Sequence, residues 1–203
     1  MRHIDAYLSS LEKRFGKPRA KFPIIDLEIE FKVRDITEMV RLIANSMFPL
    51  GKPRIQVAQV RSGGPKNAMA WLQCFDEVVP RYGTREFEEF RVSVRIRNEL
   101  IDKAPFQTVS FAIAHEFAHL VLFSVGESNH DEKYVDLLAM HFGFAELYEQ
   151  GKFYDVAPPL ARTGDALKDI LSILEGTKRE GVGYLTEAEV VYARKEMVTR
   201  RAR

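Results

Sequence analysis

His115-Glu116-Phe117-Ala118-His119 sets two imidazoles four residues apart, with a carboxylate directly after the first. On a helix, residues at that spacing lie one above the other on the same face. Two ring nitrogens can then grip one metal ion. Glu116 points roughly 100° around the helix from His115, beside the metal rather than on it, where a base for a metal-bound water sits. The flanks read as a buried helix: Val109-Ser110-Phe111-Ala112-Ile113-Ala114 before the motif and Leu120-Val121-Leu122-Phe123 after it are almost wholly apolar. Two histidines and a glutamate inside such a helix carry a desolvation cost that a bound metal relieves. The expected chemistry is zinc-dependent peptide hydrolysis through a metal-bound water activated by Glu116.

A catalytic zinc takes three protein ligands and leaves one position to water, so a third ligand must come from elsewhere. A histidine at position 125 would extend the motif in one known way, but Val125 stands there. His130 falls in a predicted loop or cap. His141 falls on the face opposite Glu132 in a helix predicted over roughly 130–142. Glu132 is the best candidate. Asp136, four residues on, shares its face and is placed to accept a hydrogen bond from the outer N–H of a ligating histidine, fixing its tautomer. The stretch Leu120–Asp131 is long enough for a tight helix–loop–helix reversal.

His115-Glu116-x-x-His119 followed by Glu132-x-x-x-Asp136 resembles the gluzincin metallopeptidases, and in its short spacing the compact minigluzincins and related small intracellular zinc peptidases. The resemblance covers roughly residues 85–145. It implies His115, His119 and Glu132 as Zn2+ ligands, Glu116 as base, Asp136 behind a ligand, and a zincin-like fold whose sheet edge takes an extended peptide by strand addition. No helix-turn-helix signature, which some relatives carry, is visible. Residues 1–50 and 150–203 carry no resemblance. Peptide deformylases pair H-E-x-x-H with an upstream cysteine, and Cys74 lies upstream; yet Gln73-Cys74-Phe75-Asp76 does not resemble their cysteine motif, and a lone cysteine in an apolar strand reads as a small buried hydrophobe. Imidazole and carboxylate also suit manganese, iron or cobalt.

The elements around the motif follow from periodicity. Ile4, Leu8, Leu11 and Phe15 predict a first helix, and Gly16–Lys21 a basic linker. Ile25 to Val33 alternates apolar with charged and predicts a half-buried strand. Asp35 with Glu38 predicts a helix cap, and Ile36, Met39, Val40, Ile43 and Met47 form the stripe of the helix that follows. Ile55–Val60 predicts a strand, Ser62–Asn67 a turn without the phosphate-loop pattern, and Ala68–Phe75 a central strand. Phe90, Val92, Val94 and Ile96 alternate with Arg91, Ser93, Arg95 and Arg97, a strand whose basic side reads as a solvated face. Pro105 suits the first turn of the motif helix, with an end near Gly126. Ser128 or Asn129 is the expected cap of the next helix. Pro158-Pro159 opens a looser stretch, and Thr186-Glu187-Ala188-Glu189 a capping box for a last helix.

Strands before helices mean α+β: a mixed or mainly antiparallel sheet packed on a buried active-site helix, then a glutamate-bearing helix and C-terminal helices. The 203 residues, 46% hydrophobic, are expected to form a single zincin-like domain. Within it, 1–21 would be helix and linker, 22–100 sheet-rich, 101–150 the metal-binding helices and 151–203 helical. A formal charge of +1 supplies no global field for nucleic acid or membrane. One cysteine excludes an internal disulfide. No apolar start of signal-peptide length and no uninterrupted membrane-length run are seen. The expected protein is cytoplasmic with a peptide or protein substrate. Two other readings stay open: a non-catalytic, metal-braced interaction or regulatory module, and a latent peptidase plugged by a terminal extension. Tyr134, Tyr154, Tyr184 and the remaining histidines are equal candidates for an oxyanion donor.

Overall fold

A computed structural model describes residues 1–65, 68–76, 78–127, 131–156 and 178–203. The fold is α+β. Its hub is the motif helix α6 (Phe106–Ser124), which packs against α2 (Ile24–Lys32), α3 (Ile36–Met47), α5 (Asn98–Lys103), α7 (Glu132–Ala139), α8 (Ala145–Gly151) and strand β2. Helix α6 is long and apolar enough to cross a membrane by length and composition, but most of it is buried inside the fold. A mixed three-stranded sheet, in the order β1 (Arg54–Val60), β3 (Arg91–Arg97), β2 (Ala70–Cys74), covers one side of it. β1 runs parallel to β3 and β2 antiparallel. Val92, Val94 and Ile96 on the inner face of β3 are fully buried.

Helix α1 (Arg2–Phe15) buries Ile4, Leu8 and Leu11 as its spacing predicts. In α3 the whole expected stripe is buried, and Asp35 caps it by accepting the Glu38 N–H at 2.8 Å. A short helix α4 (Arg85–Glu89) precedes β3.

Ile24–Lys32 form a helix where a strand is expected over 25–33. Their apolar residues satisfy both periods. Ile24, Leu27 and Phe31 fall at helical spacing and turn inward, while Ile25, Ile29 and Val33 lie on the outer side and are 67%, 51% and 68% exposed. Arg34, at φ 62°, closes the helix: the Asp35 N–H reaches Glu30 O and the Arg34 N–H reaches Phe31 O. The region 22–100 is therefore helical as well as stranded, with α2, α3 and α4 beside the three strands. The strand expected to be central, β2, is an edge, and β3 takes the middle.

After α7 the helix widens into a π turn, Met140–Phe144. Gly143 sits there at φ 106°, and a Cβ would lie 2.6 Å from Ala20 O. The linker docks at this turn through Arg19 N–H to His141 O and Phe22 N–H to Gly143 O. The expected helical region 151–203 contains an antiparallel pair, β4 (Phe153–Val156) and β5 (Lys178–Gly181), before the last helix α9 (Glu187–Ala202). Pro158-Pro159 and the rest of 157–177 lie outside the described residues, as do Ser128, Asn129 and His130.

The capping box of α9 is formed: Thr186 Oγ1 accepts from Glu189 N–H, and the Glu189 carboxylate accepts from Thr186 N–H at 2.8 Å. Glu189 also takes Lys133 Nζ of α7 at 2.8 Å and lies 2.8 Å from His3 Nε2 of α1, so one carboxylate joins three helices. Burial alone would raise its pKa, but the hydrogen bonds from Lys133, Thr186 and His3 outweigh it and bring it down to about 2. A carboxylate depressed in the fold contributes stability above its ordinary pKa of 4.5 and loses it as pH falls towards 2. Glu189→Gln keeps the capping geometry but removes the charge. Its urea midpoint is expected below that of the wild type at pH 7, with the difference closing between pH 4.5 and 2; a constant difference across that window would remove Glu189 as the cause.

Candidate metal centre

The motif helix ends in a reversal that places α7 over it. Gly126 lies at φ 83°, the Glu127 N–H returns to Leu122 O and the Gly126 N–H to Phe123 O. Asp131, not Ser128 or Asn129, caps α7 by accepting the Lys133 N–H. Glu132, the first residue of α7, thereby faces the exposed side of the two histidines.

His115, His119 and Glu132 converge. His115 Nε2 and His119 Nε2 are 3.1 Å apart, and Glu132 Oε2 lies 3.3 Å from each. A tetrahedral zinc with bonds near 2.0–2.1 Å separates its ligand atoms by about 3.3 Å. The three donors therefore stand at the spacing of one tetrahedral face, with the chemistry zinc prefers. Among the described residues this is the group of histidine, cysteine and carboxylate side chains that converges in this way. Cys74 is exposed at the end of β2 and outside the group, which removes the deformylase-like ligand set. His141 is buried in the π turn, where burial lowers its pKa to about 4 against the opposing pull of a hydrogen bond to the Gly16 backbone.

Asp136 lies behind the centre and is fully buried. Its Oδ1 is 2.8 Å from His115 Nδ1. Its Oδ2 accepts from Tyr148 OH at 2.8 Å, from Tyr184 N–H at 2.5 Å and from Leu185 N–H at 3.1 Å. Both oxygens thus act as acceptors, which holds a proton on His115 Nδ1 and leaves Nε2 facing Glu132 and His119. Behind Tyr148, Lys152 Nζ reaches the same hydroxyl at 3.3 Å and Val182 O at 3.4 Å. Tyr148 stacks on Phe111 of α6 at 3.8 Å between centroids. Gly183 makes this packing possible: at φ 74°, a Cβ would stand 2.2 Å from Tyr148 OH. Tyr148, Lys152 and Gly183 escape sequence reasoning because no short-range pattern ties them to the motif. The pair Gly181 and Gly183 before Tyr184 was the available signal of close backbone approach.

Burial pushes the His115 imidazolium down, but hydrogen bonds to Asp136 and Glu132 outweigh it and raise its pKa to about 9. In the metal-free chain a proton thus occupies the place of a cation. Burial lifts Glu116 to about 7, against the opposing pull of His115 and the Leu72 N–H. Glu116 borders a cleft of about 280 Å³ between α6, the start of β2 and Gly181–Tyr184. The Tyr184 ring stacks over His115 at 5.8 Å. Tyr134 instead pairs with Ser10, and Tyr154 with Glu180. Of the three tyrosines considered from sequence, Tyr184 is the one at the cleft.

No protein-family model, curated protein or solved structure matches this chain. The functional reading therefore rests on the residues and their geometry.

Two measurements check the centre. Because His115 holds its proton up to about pH 9 without metal, zinc uptake at pH 7 is expected to release about one proton and to tighten as pH rises towards 9. Calorimetry in buffers of different ionisation enthalpy reads this directly, and uptake with no proton release would contradict the assignment. Asp136→Asn should weaken zinc binding about 10- to 100-fold in a chelator competition; unchanged affinity would deny Asp136 its orienting role.

Proposed function

We propose that this chain is a zinc-dependent peptidase of the gluzincin type, with His115, His119 and Glu132 as ligands and Glu116 as general base. The observation that carries the reading is the triangle of three donor atoms with a fourth, base-competent carboxylate beside it and an open cleft in front. A closed structural site has no use for a carboxylate tuned near neutrality. A zinc ion held there would supply Lewis acidity at a scissile carbonyl and make water acidic near neutral pH. Glu116, with a pKa near 7, takes the proton of the attacking water and delivers it to the leaving amine. Tyr184 is the candidate donor to the developing oxyanion.

The sheet supports an extended substrate. The Arg97 N–H bonds to Met69 O, so the antiparallel alternation makes Met69, Trp71 and Gln73 the residues that pair with β3. The backbone groups of Ala70, Leu72 and Cys74 therefore point away from the sheet, towards α6. One of them is in use, since the Leu72 N–H donates to Glu116. A peptide laid along this edge adds a strand and brings a carbonyl to the centre. The cleft wall of Ala70, Ala112, Phe111, Val182 and Gly183 suits an apolar side chain next to the scissile bond.

Glu116→Gln is expected to bind zinc as the wild type does and to lose about 10³-fold or more of its rate on a mixed peptide library. Stoichiometric zinc with no cleavage by either form would favour a metal-braced binding module. Wild-type rates in the variant would remove Glu116 from the mechanism.

A further inference from the structure

The outer face of the three-stranded sheet is unlike the rest of the surface. Register places Arg54, Gln56 and Ala58 of β1 beside Arg91, Ser93 and Arg95 of β3, and Trp71 and Gln73 of β2 beside Arg95 and Ser93. Paired residues share a face, opposite to Val92, Val94 and Ile96. Arg97 continues the row of β3, and Phe75 continues that of β2. The Arg91 guanidinium stands 5.8 Å from the Phe75 centroid, confirming that the two side chains share this side. Phe75 is 48% exposed, and Arg54, Gln56, Gln73 and Arg91 are exposed as well.

Three properties single this face out. Its positions include four arginines and no carboxylate. The ion pairs of the described residues engage none of the four. Aromatic and arginine rows run side by side, with same-face side chains repeating about every 6.6–6.8 Å along each strand. The loop Arg61–Pro65 walls one end: Arg97 Nη2 donates to Gly63 O at 2.9 Å, and Gly64 lies flat against the Trp71 ring, where a Cβ would be 2.7 Å away. The face is thus a shallow platform with two exposed arginines, Arg54 and Arg91, two half-buried ones, Arg95 and Arg97, side-chain amides and an exposed ring over the buried Ser93.

We propose that this sheet face binds single-stranded nucleic acid, with the arginines on phosphates and Phe75 stacking on a base. Polyanion binding alone needs only charge. The exposed aromatic beside a guanidinium row favours a partner that carries flat rings as well as phosphates, the combination used by single-strand platforms. Glutamines 56 and 73 supply donors and acceptors for base edges without a preference for one base. The overall charge of +1 does not oppose this, because none of the paired strand positions on this face carries a carboxylate. The site is separate from the metal centre, which lies on the inner side of the sheet and beyond the other edge of β2.

The test uses the full chain and fluorescently labelled 20-nucleotide single-stranded DNA and RNA of mixed sequence, read by anisotropy at about 50 mM salt. A dissociation constant near 10⁻⁶ M is expected, with a log–log salt slope of about −3 for four phosphate contacts on a single strand. Arg54→Ala with Arg91→Ala should weaken binding tenfold or more and flatten the slope. Phe75→Ala should weaken it about fivefold or more, and Lys13→Ala with Lys195→Ala should leave it unchanged. Zinc affinity should stay at the wild-type value in all of these, which keeps the result independent of the peptidase reading. Absence of binding to either single strand would overturn the proposal. So would arginine and Phe75 variants that bind like the wild type, equal affinity for polyglutamate, which would mark an acidic-peptide surface, or equal affinity for the duplex with Phe75 silent.

Discussion

The Asp136 carboxylate is the contact on which the rest of the structure depends. It is fully buried, and a buried charge is tolerated only when its lone pairs are met. Four donors meet them, from three segments: His115 of α6, Tyr148 of α8, and the backbone of Tyr184 and Leu185 ahead of α9, around a carboxylate on α7. Removing any donor leaves part of a charge unsolvated in the core. The network therefore draws the C-terminal segment across the face of α6, and it does so beside the metal ligands. One interaction sets both the chain path and the orientation of the first imidazole.

That arrangement explains how a buried helix can host an open site. Helix α6 is apolar on nearly all sides, so solvent reaches it only where a neighbour stops short. The reversal at Gly126 lifts α7 so that Glu132 stands at the rim while Asp136, one turn on, stays inside. β2 ends its pairing duties on the β3 side and leaves its other edge to Glu116. The wall of the cleft mixes small residues, Ala68, Ala70, Ala112, Gly181 and Gly183, with Met69, Phe111, Val182 and Tyr184. At Gly183 the need for a small residue is explicit: any Cβ would displace the Tyr148 hydroxyl from Asp136.

The cluster of His115, His119 and Glu132 was legible in the chain because its signals are local. His115 and His119 are one helical turn apart, and Glu132 and Asp136 are one turn apart, so helix geometry alone put each pair on a common face. Only the reversal between them had to be assumed. The helix at 24–32 was misread for a physical reason: alternate apolar residues fit a strand, and the tertiary packing of Ile24, Leu27 and Phe31 decides for the helix. β2 was read as central because its run is continuously apolar. Its apolar character instead serves the inner face and the aromatic row of the outer one. Tyr148 and Lys152 stayed hidden because their roles come from hydrogen bonds to Asp136, Val182 and Leu185 across 12 to 37 positions of chain, and no periodicity encodes those.

Charge shows the same contrast between local and global information. A balance of +1 suggests an even surface, yet the sheet divides charge by strand parity. Even-numbered residues of β3 are apolar and fill the core; its odd-numbered residues include three arginines and look outward. The parallel pairing of β1 adds Arg54 to that row, and the antiparallel pairing of β2 lays Trp71 and Phe75 alongside. Neither neighbour is visible from the β3 sequence alone, which is why four polar side chains on one strand read as ordinary solvation. Assembled, they form a cationic, aromatic plane backed by the same sheet whose free edge borders the metal cleft. A ligand on that plane and a peptide on that edge would contact one element, at two surfaces that do not overlap.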